Sequence, residues 1–134
     1  MTRLRGKLIA AARAARRKAY APYSGYEVGA AIASSGRRGD VFTGANVENA
    51  SFGATICAER VALLGAVAAG HRKFSALAVV TPGRVPAPPC GMCLQSLAEF
   101  CGDLEVYLAA AEGGKVIETS LRRLLPVRFA GPVS

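Results

Sequence analysis

The chain has 134 residues, 51% of them hydrophobic, with a mean hydropathy of +0.28, which suits one domain with a core and excludes disorder. No apolar run approaches the ~18 residues of a transmembrane helix, and no apolar stretch of a secretory signal follows the basic start. The formal net charge is +8 and the pI about 9.9, a balance that raises nucleic acid or an anionic surface as partners.

The first segment, "MTRLRGKLIAAARAARRKAY", carries seven of the 17 basic residues, and the first acid is Glu27. Leu4, Leu8, Ala11, Ala12 and Ala15 recur at helical spacing, which predicts a docked helix over Thr2 to Lys18 rather than a transit peptide. Its cations alternate with apolar residues and are not interleaved with aromatics. They read first as a solvated face, with an oligomer contact or an anion site as the alternatives. "EVGAAIAS" and "VFTGANV" read as strands around a "SGRRGD" hairpin turn, and "ENASFGAT" as a polar loop. A helix is predicted from Cys57 to Ala69, with Gly70 as its stop signal. "SALAVVT" reads as a buried strand, and "PGRVPAPP", with four prolines in eight residues, as a loop. "CGMCLQSLAEFCG" has helical periodicity. "LEVYLAA" and "VIETS" read as strands around the "EGGK" turn, and "LRRLL" as a last helical turn. The alternation of helices and strands predicts an α/β fold, a three-layer αβα sandwich with a mixed sheet of about five strands, as a single domain over residues 1–134.

The four cysteines are Cys57, Cys90, Cys93 and Cys101, and the only histidine is His71. With no export signal a reducing, cytoplasmic setting is expected, so C-x-x-C reads as metal or redox chemistry rather than disulfides. Cys57 and Cys90 each open a predicted helix, where the dipole favours thiolate. Two helix starts would aim the thiolates of Cys57, Cys90 and Cys93 at one point, a donor set for tetrahedral zinc with an open fourth position. Glu59, in the first turn, can reach a site lying off the helix end and act there as a proton carrier. Its bland reading is a first-turn acid favoured by the dipole. Cys101 falls on an apolar helix face and reads as a small buried residue, with a fourth zinc ligand as the rival. His71 reads as a surface residue.

A Cys-x-Glu segment followed by P-C-x-x-C is the signature of zinc deaminases. Beyond it, "YAPYSGYEVGAA", "FTGANVENASFGATICAERVA", "PPCGMCLQSLAEF" and "LRRLLP" resemble, in order and spacing, the small cytidine deaminases that act on free nucleosides. The resemblance spans roughly Tyr20 to Phe129. It implies hydrolysis of cytidine and 2′-deoxycytidine to uridine and 2′-deoxyuridine with release of ammonia, by attack of zinc-bound hydroxide at C4. It further implies Zn²⁺ on Cys57, Cys90 and Cys93, Glu59 as proton shuttle, and Asn46 and Glu48 gripping the ribose 3′-hydroxyl. Tyr26 stands where the family stacks a Phe on the base. Phe129 corresponds to an aromatic that closes the pocket, often that of a neighbouring subunit. The backbone around Ala58 would read the pyrimidine edge, and Ala50 would do so across an interface. The implied assembly is a homotetramer or homodimer with shared sites, with nucleic acid not expected as a partner.

Physical chemistry supports part of this independently. Three thiolates leave zinc with a net charge of −1, which an Arg60 donating to the sulfurs would offset. Bland roles remain beside these: a surface arginine for Arg60, turn chemistry for Asn46 and Glu48, and core packing for Tyr26 and Phe129. The chain departs from the resemblance at three positions. Leu94 stands where an Arg is common, Phe52 where a Tyr is common, and Tyr26 where a Phe is usual. The rival functions are deamination of a modified cytosine nucleoside, a nucleoside antibiotic or a nucleotide, or a structural Cys₄ zinc module that binds nucleic acid.

Overall fold

The computed structural model describes residues 2–36 and 39–131. Five strands form one mixed sheet in the order β2-β1-β3-β4-β5, with β1 Gly29–Ser34, β2 Val41–Ala45, β3 Phe74–Thr81, β4 Glu105–Ala110 and β5 Val116–Ser120. The helices are α1 Thr2–Ala15, α2 Ala58–Ala68, α3 Gly91–Phe100 and α4 Leu121–Leu124. The predicted α/β sandwich is therefore present. The first helix ends three residues earlier than its periodicity suggested, because Arg16–Lys18 tightens into a 3₁₀ turn. Arg37 and Arg38, at the centre of the predicted "SGRRGD" turn, lie outside the described residues.

Strand alternation sorts the side chains into two layers. Ala30 and Ile32 of β1, Leu77 and Val79 of β3, and Val106 and Leu108 of β4 pack with Ala62, Leu63, Ala66, Leu94 and Leu97 from α2 and α3. On the other face Ala31, Ala33, Ala76, Ala78 and Ala109 meet Leu8 and Ala12 of α1. Alanines dominate that second layer, so the helix backbone can approach the sheet closely. The basic side chains Arg3, Lys7, Arg17 and Lys18 point to solvent. The same approach is why Leu8 and Ala12 reach zero exposure.

Strand direction then fixes the functional edge. β1 pairs antiparallel with both β2 and β3, so β2 and β3 run the same way and end at one edge of the sheet. α2 follows β2 and α3 follows β3, and both return from that edge over one face. β3 and β4 pair in parallel, which requires a crossover, and α3 supplies it. β4 and β5 close the sheet as an antiparallel hairpin.

Gly44 of β2 lets α2 settle onto the sheet. A Cβ at that position would stand 2.5 Å from Ala62 N and 2.6 Å from Ala58 O, backbone atoms that cannot yield without moving the helix. Gly44→Ala is therefore expected to lower stability by about 1–3 kcal/mol, the range for overpacking, measured by urea unfolding. A variant as stable as the parent would mean that α2 does not rest on β2 in this way.

Candidate metal centre and active site

Thr55 and Ile56 approach α2 in extended form, with Ile56 and Val47 exchanging backbone hydrogen bonds of 2.9 and 3.0 Å. Cys57 is the cap residue (φ −71°, ψ 154°); its carbonyl accepts from Val61 N at 3.0 Å, and its thiol makes no capping bond. The second helix repeats this design. Pro88 and Pro89 hold the chain extended, Cys90 caps α3 (φ −71°, ψ 168°), and its carbonyl accepts from Leu94 N at 3.0 Å. Neither thiol is spent on its own helix, so both can turn outward. Cys93 follows in the first turn of α3 and is fully buried.

The three sulfurs meet. Sγ of Cys57 lies 3.8 Å from that of Cys90, Cys90 lies 3.4 Å from Cys93, and all three fall within 4.8 Å of one another. Tetrahedral zinc with bonds of about 2.3 Å separates its sulfurs by roughly 3.8 Å, so the donor set fits that ion. Arg60, one turn into α2, donates from Nη2 to Cys57 Sγ at 3.6 Å, as a residue at i+3 can. Hydrogen bonding from Cys93, and then from Arg60, pulls the Cys57 thiol down to about 5 despite its partial burial. Cys93 moves above the ordinary thiol range, through its bond to Cys57 and then through burial. Such thiol protons are what a bound dication displaces.

Cys101 is not part of the group. It closes α3 at the end opposite Cys90, and eleven residues at about 1.5 Å each separate the two by roughly 16 Å. Burial pushes its thiol up to about 11, so it stays protonated at neutral pH. The closed Cys₄ alternative is thereby corrected: among the described residues only Cys57, Cys90 and Cys93 gather. His71 sits at the far end of α2, where its ring lies 4.8 Å from that of Phe42 and its Nε2 is 3.7 Å from Asp40 Oδ2.

Beside the sulfurs opens a cleft of about 190 Å³ lined by Tyr26, Asn46, Cys57, Ala58, Glu59 and Cys90, together with Val28, Thr55, Thr81, Ala87 and Pro88. Glu59 is only 6% exposed. Burial, reinforced by the negative charge at Cys57, pushes its carboxyl up to about 7, against the helix-end amide and Arg60. A carboxyl so placed exchanges a proton near neutrality.

The remaining candidates divide between the cleft and its surroundings. The buried Asn46 faces the cleft, but its amide is already engaged: Oδ1 accepts from Val28 N at 2.9 Å and Nδ2 donates to Tyr26 O at 2.8 Å. Tyr26 lines the cleft and is 46% exposed. Glu48 lies in an adjoining hollow of about 320 Å³ with Tyr23, Ser24, Asn49 and Phe52, and Thr55 borders both spaces. Its carboxylate accepts from Tyr23 N at 2.9 Å, Ser24 N at 3.1 Å and the Ser24 hydroxyl. The Ser24 hydroxyl leads the bonds that hold the Glu48 pKa below the usual range. Ala50 is exposed, and Phe129, at 72% exposure, does not line this chain's cleft. Leu94 is buried in the core cluster with residues of α2 and α3, and Arg60 is the cation that reaches the Cys57 sulfur. Val28, Thr55, Thr81 and Ala87 also line the cleft and carry no chemistry that marks them in the sequence. Thr81 ends β3, at the strand edge where open α/β sheets bind ligands, and that was the one available signal.

Comparison with known proteins agrees with this geometry. Residues 3–110 match the family described as "Cytidine and deoxycytidylate deaminase zinc-binding region". The chain is 47% identical over 126 residues to a cytidine deaminase of Halalkalibacterium halodurans, covering 93% of each. It is 46% identical over 125 residues to one of Sporosarcina psychrophila, covering 92% of this chain and 90% of the other. The crystal structure of a cytidine deaminase from Burkholderia pseudomallei superposes with a TM-score of 0.86 at 51% identity, over 92% of this chain and 98% of that one. A fold, a three-sulfur centre and a sequence match that agree this closely leave one conclusion: the chain belongs to the cytidine and deoxycytidylate deaminase family.

Proposed function

We propose that the chain, acting as one domain, catalyses hydrolytic deamination of cytidine and 2′-deoxycytidine: water and the nucleoside become uridine or 2′-deoxyuridine and ammonia. The observation that carries this is a buried carboxyl, Glu59, lining one cleft with Cys57 and Cys90, two of the three gathered thiols. Cys57, Cys90 and Cys93 would hold Zn²⁺, which when bound makes water a nucleophile near neutral pH and leaves one position open. Glu59 takes the proton of the attacking water, delivers it to N3 of the pyrimidine, and helps the C4 amino group leave as ammonia. The raised proton affinity of a buried carboxyl supports both halves of that cycle. Arg60 holds the Cys57 sulfur and offsets the excess negative charge of three thiolates.

The base would stand against Tyr26, with its edge read by the backbone around Ala58. The ribose would extend toward Asn46 and Glu48. Asn46 acts by holding the Tyr26–Val28 backbone at the cleft wall as well as through any contact with sugar. The carboxylate of Glu48 disfavours a nearby phosphate, which supports a nucleoside over a nucleotide.

The assembly we propose is a homotetramer with shared sites, in the cytoplasm. A cleft of about 190 Å³ is small for a nucleoside, and Phe52, Val127 and Phe129 are 75%, 88% and 72% exposed, large apolar side chains that a neighbouring chain would cover. Ala50 and Phe129 would then act on a neighbouring site. Among the described residues no helix is long and apolar enough to cross a membrane.

Three outcomes test the reading. Glu59→Ala should retain zinc and lose about 10²–10⁴-fold in kcat, the usual worth of a positioned acid–base group, in an ammonia-release assay on cytidine; turnover at the parent rate would end the mechanism. The purified protein should carry one zinc per chain. Cys101→Ser should keep that metal and Cys90→Ser lose it, and zinc loss from Cys101→Ser would contradict the three-sulfur site. Sedimentation should give a mass near four chains, and a monomer with full activity would refute shared sites.

A further inference from the structure

The last described residues do not trail freely; two side chains tie them to α3. Gln95 donates from Nε2 to the Phe129 carbonyl at 3.0 Å, and Arg128 donates from Nη1 to the Cys101 carbonyl at 2.8 Å. Both anchors belong to the helix that begins with Cys90 and Cys93. The other terminal nitrogen of Arg128, Nη2, is buried without a partner among the described residues. An unpaired buried donor is costly, so stability alone does not account for an arginine here.

With Arg128 turned in against the end of α3, Val127 and Phe129 turn out, and they are 88% and 72% exposed. The two ties therefore fix the orientation of an aromatic ring that this chain's own cleft does not use.

We infer that Arg128 and Gln95 are positioning residues that clamp the C-terminal segment along α3 and hold the Phe129 ring outward, over the cleft of a second copy. This rests on the deaminase reading and on the role proposed there for Phe129. It assigns to two residues outside the cleft the task of setting where that ring stands. Because the clamp hangs on α3, the closing ring and two of the three metal-binding cysteines share one rigid element.

A double-mutant cycle tests the clamp. Phe129→Ala, Arg128→Ala and the double variant are compared with the parent for kcat and KM on cytidine, with zinc content and melting temperature measured alongside. If the clamp acts through the ring, Arg128→Ala lowers kcat/KM about tenfold, chiefly by raising KM, as a misplaced positioning group does. In the Phe129→Ala background it costs nothing further, because coupled sites are not additive. Zinc content stays at the parent value throughout. Should Arg128→Ala fail to fold, Gln95→Ala takes its place in the same cycle. Losses that multiply in the double variant, zinc loss that tracks the activity loss, or a Phe129→Ala enzyme as active as the parent would overturn the clamp alone. A parent without cytidine turnover would overturn the deaminase reading and the clamp together.

Discussion

Two strands that flank β1 run in the same direction, and the rest of the site depends on it. Because β1 is antiparallel to both β2 and β3, the helices that follow those strands start at the same edge of the sheet. β2 and β3 stand two strand spacings apart, about 10 Å, which is the distance at which helices pack side by side. The starts of α2 and α3 therefore meet, and each carries a cysteine as its cap residue. Each helix start also brings about half a positive charge, so the place where thiols converge is one where thiolates are tolerated. A metal that needs three soft, ionised donors finds them held by backbone geometry rather than by mobile loops.

Glu59 turns that metal centre into a candidate catalyst. It sits two residues after the cap, deep enough to be desolvated yet at the wall of the cleft. Desolvation raises its proton affinity while the guanidinium of Arg60 lowers it, and the balance falls near neutrality, where a proton shuttle is useful. Gly44 contributes indirectly: a side chain there would meet the backbone of Ala58 and Ala62, so its absence lets the helix that carries Glu59 lie close to the sheet. The sequence "TICAER" thus combines a cap, a carboxyl and a counter-charge on one helix turn, and "PPCGMC" supplies the rigid approach and the other two sulfurs.

Much of this was legible in the residues themselves. Periodicity and punctuation located the helices and strands to within a few residues, since Gly70, the prolines before Cys90 and the apolar run of β1 act locally. Local chemistry also put Cys57 and Cys90 at helix starts. What stayed hidden depends on long-range contact. Thr55, Thr81 and Ala87 carry no distinctive chemistry and reach the cleft only because strand ends and loops converge there. Asn46 and Glu48 sit two positions apart at a strand end, a spacing that would put both on one face of a regular strand. The Tyr26–Val28 backbone claims the first and the Tyr23–Ser24 amides claim the second, so they line adjoining spaces. The inward turn of Arg128 against α3 likewise leaves no trace in composition or spacing. The resemblance supplied roles that geometry alone does not assign, above all for Ala50 and Phe129, whose side chains lie outside this chain's cleft.

The central claim is that three sulfurs, and not four, hold a metal that keeps one position open beside Glu59. X-ray absorption at the zinc edge of the purified, full-length protein tests it most directly. The account expects three sulfur neighbours at about 2.3 Å and one oxygen neighbour near 2.0 Å. A shell of four sulfurs, or a protein that takes up no zinc, would contradict it.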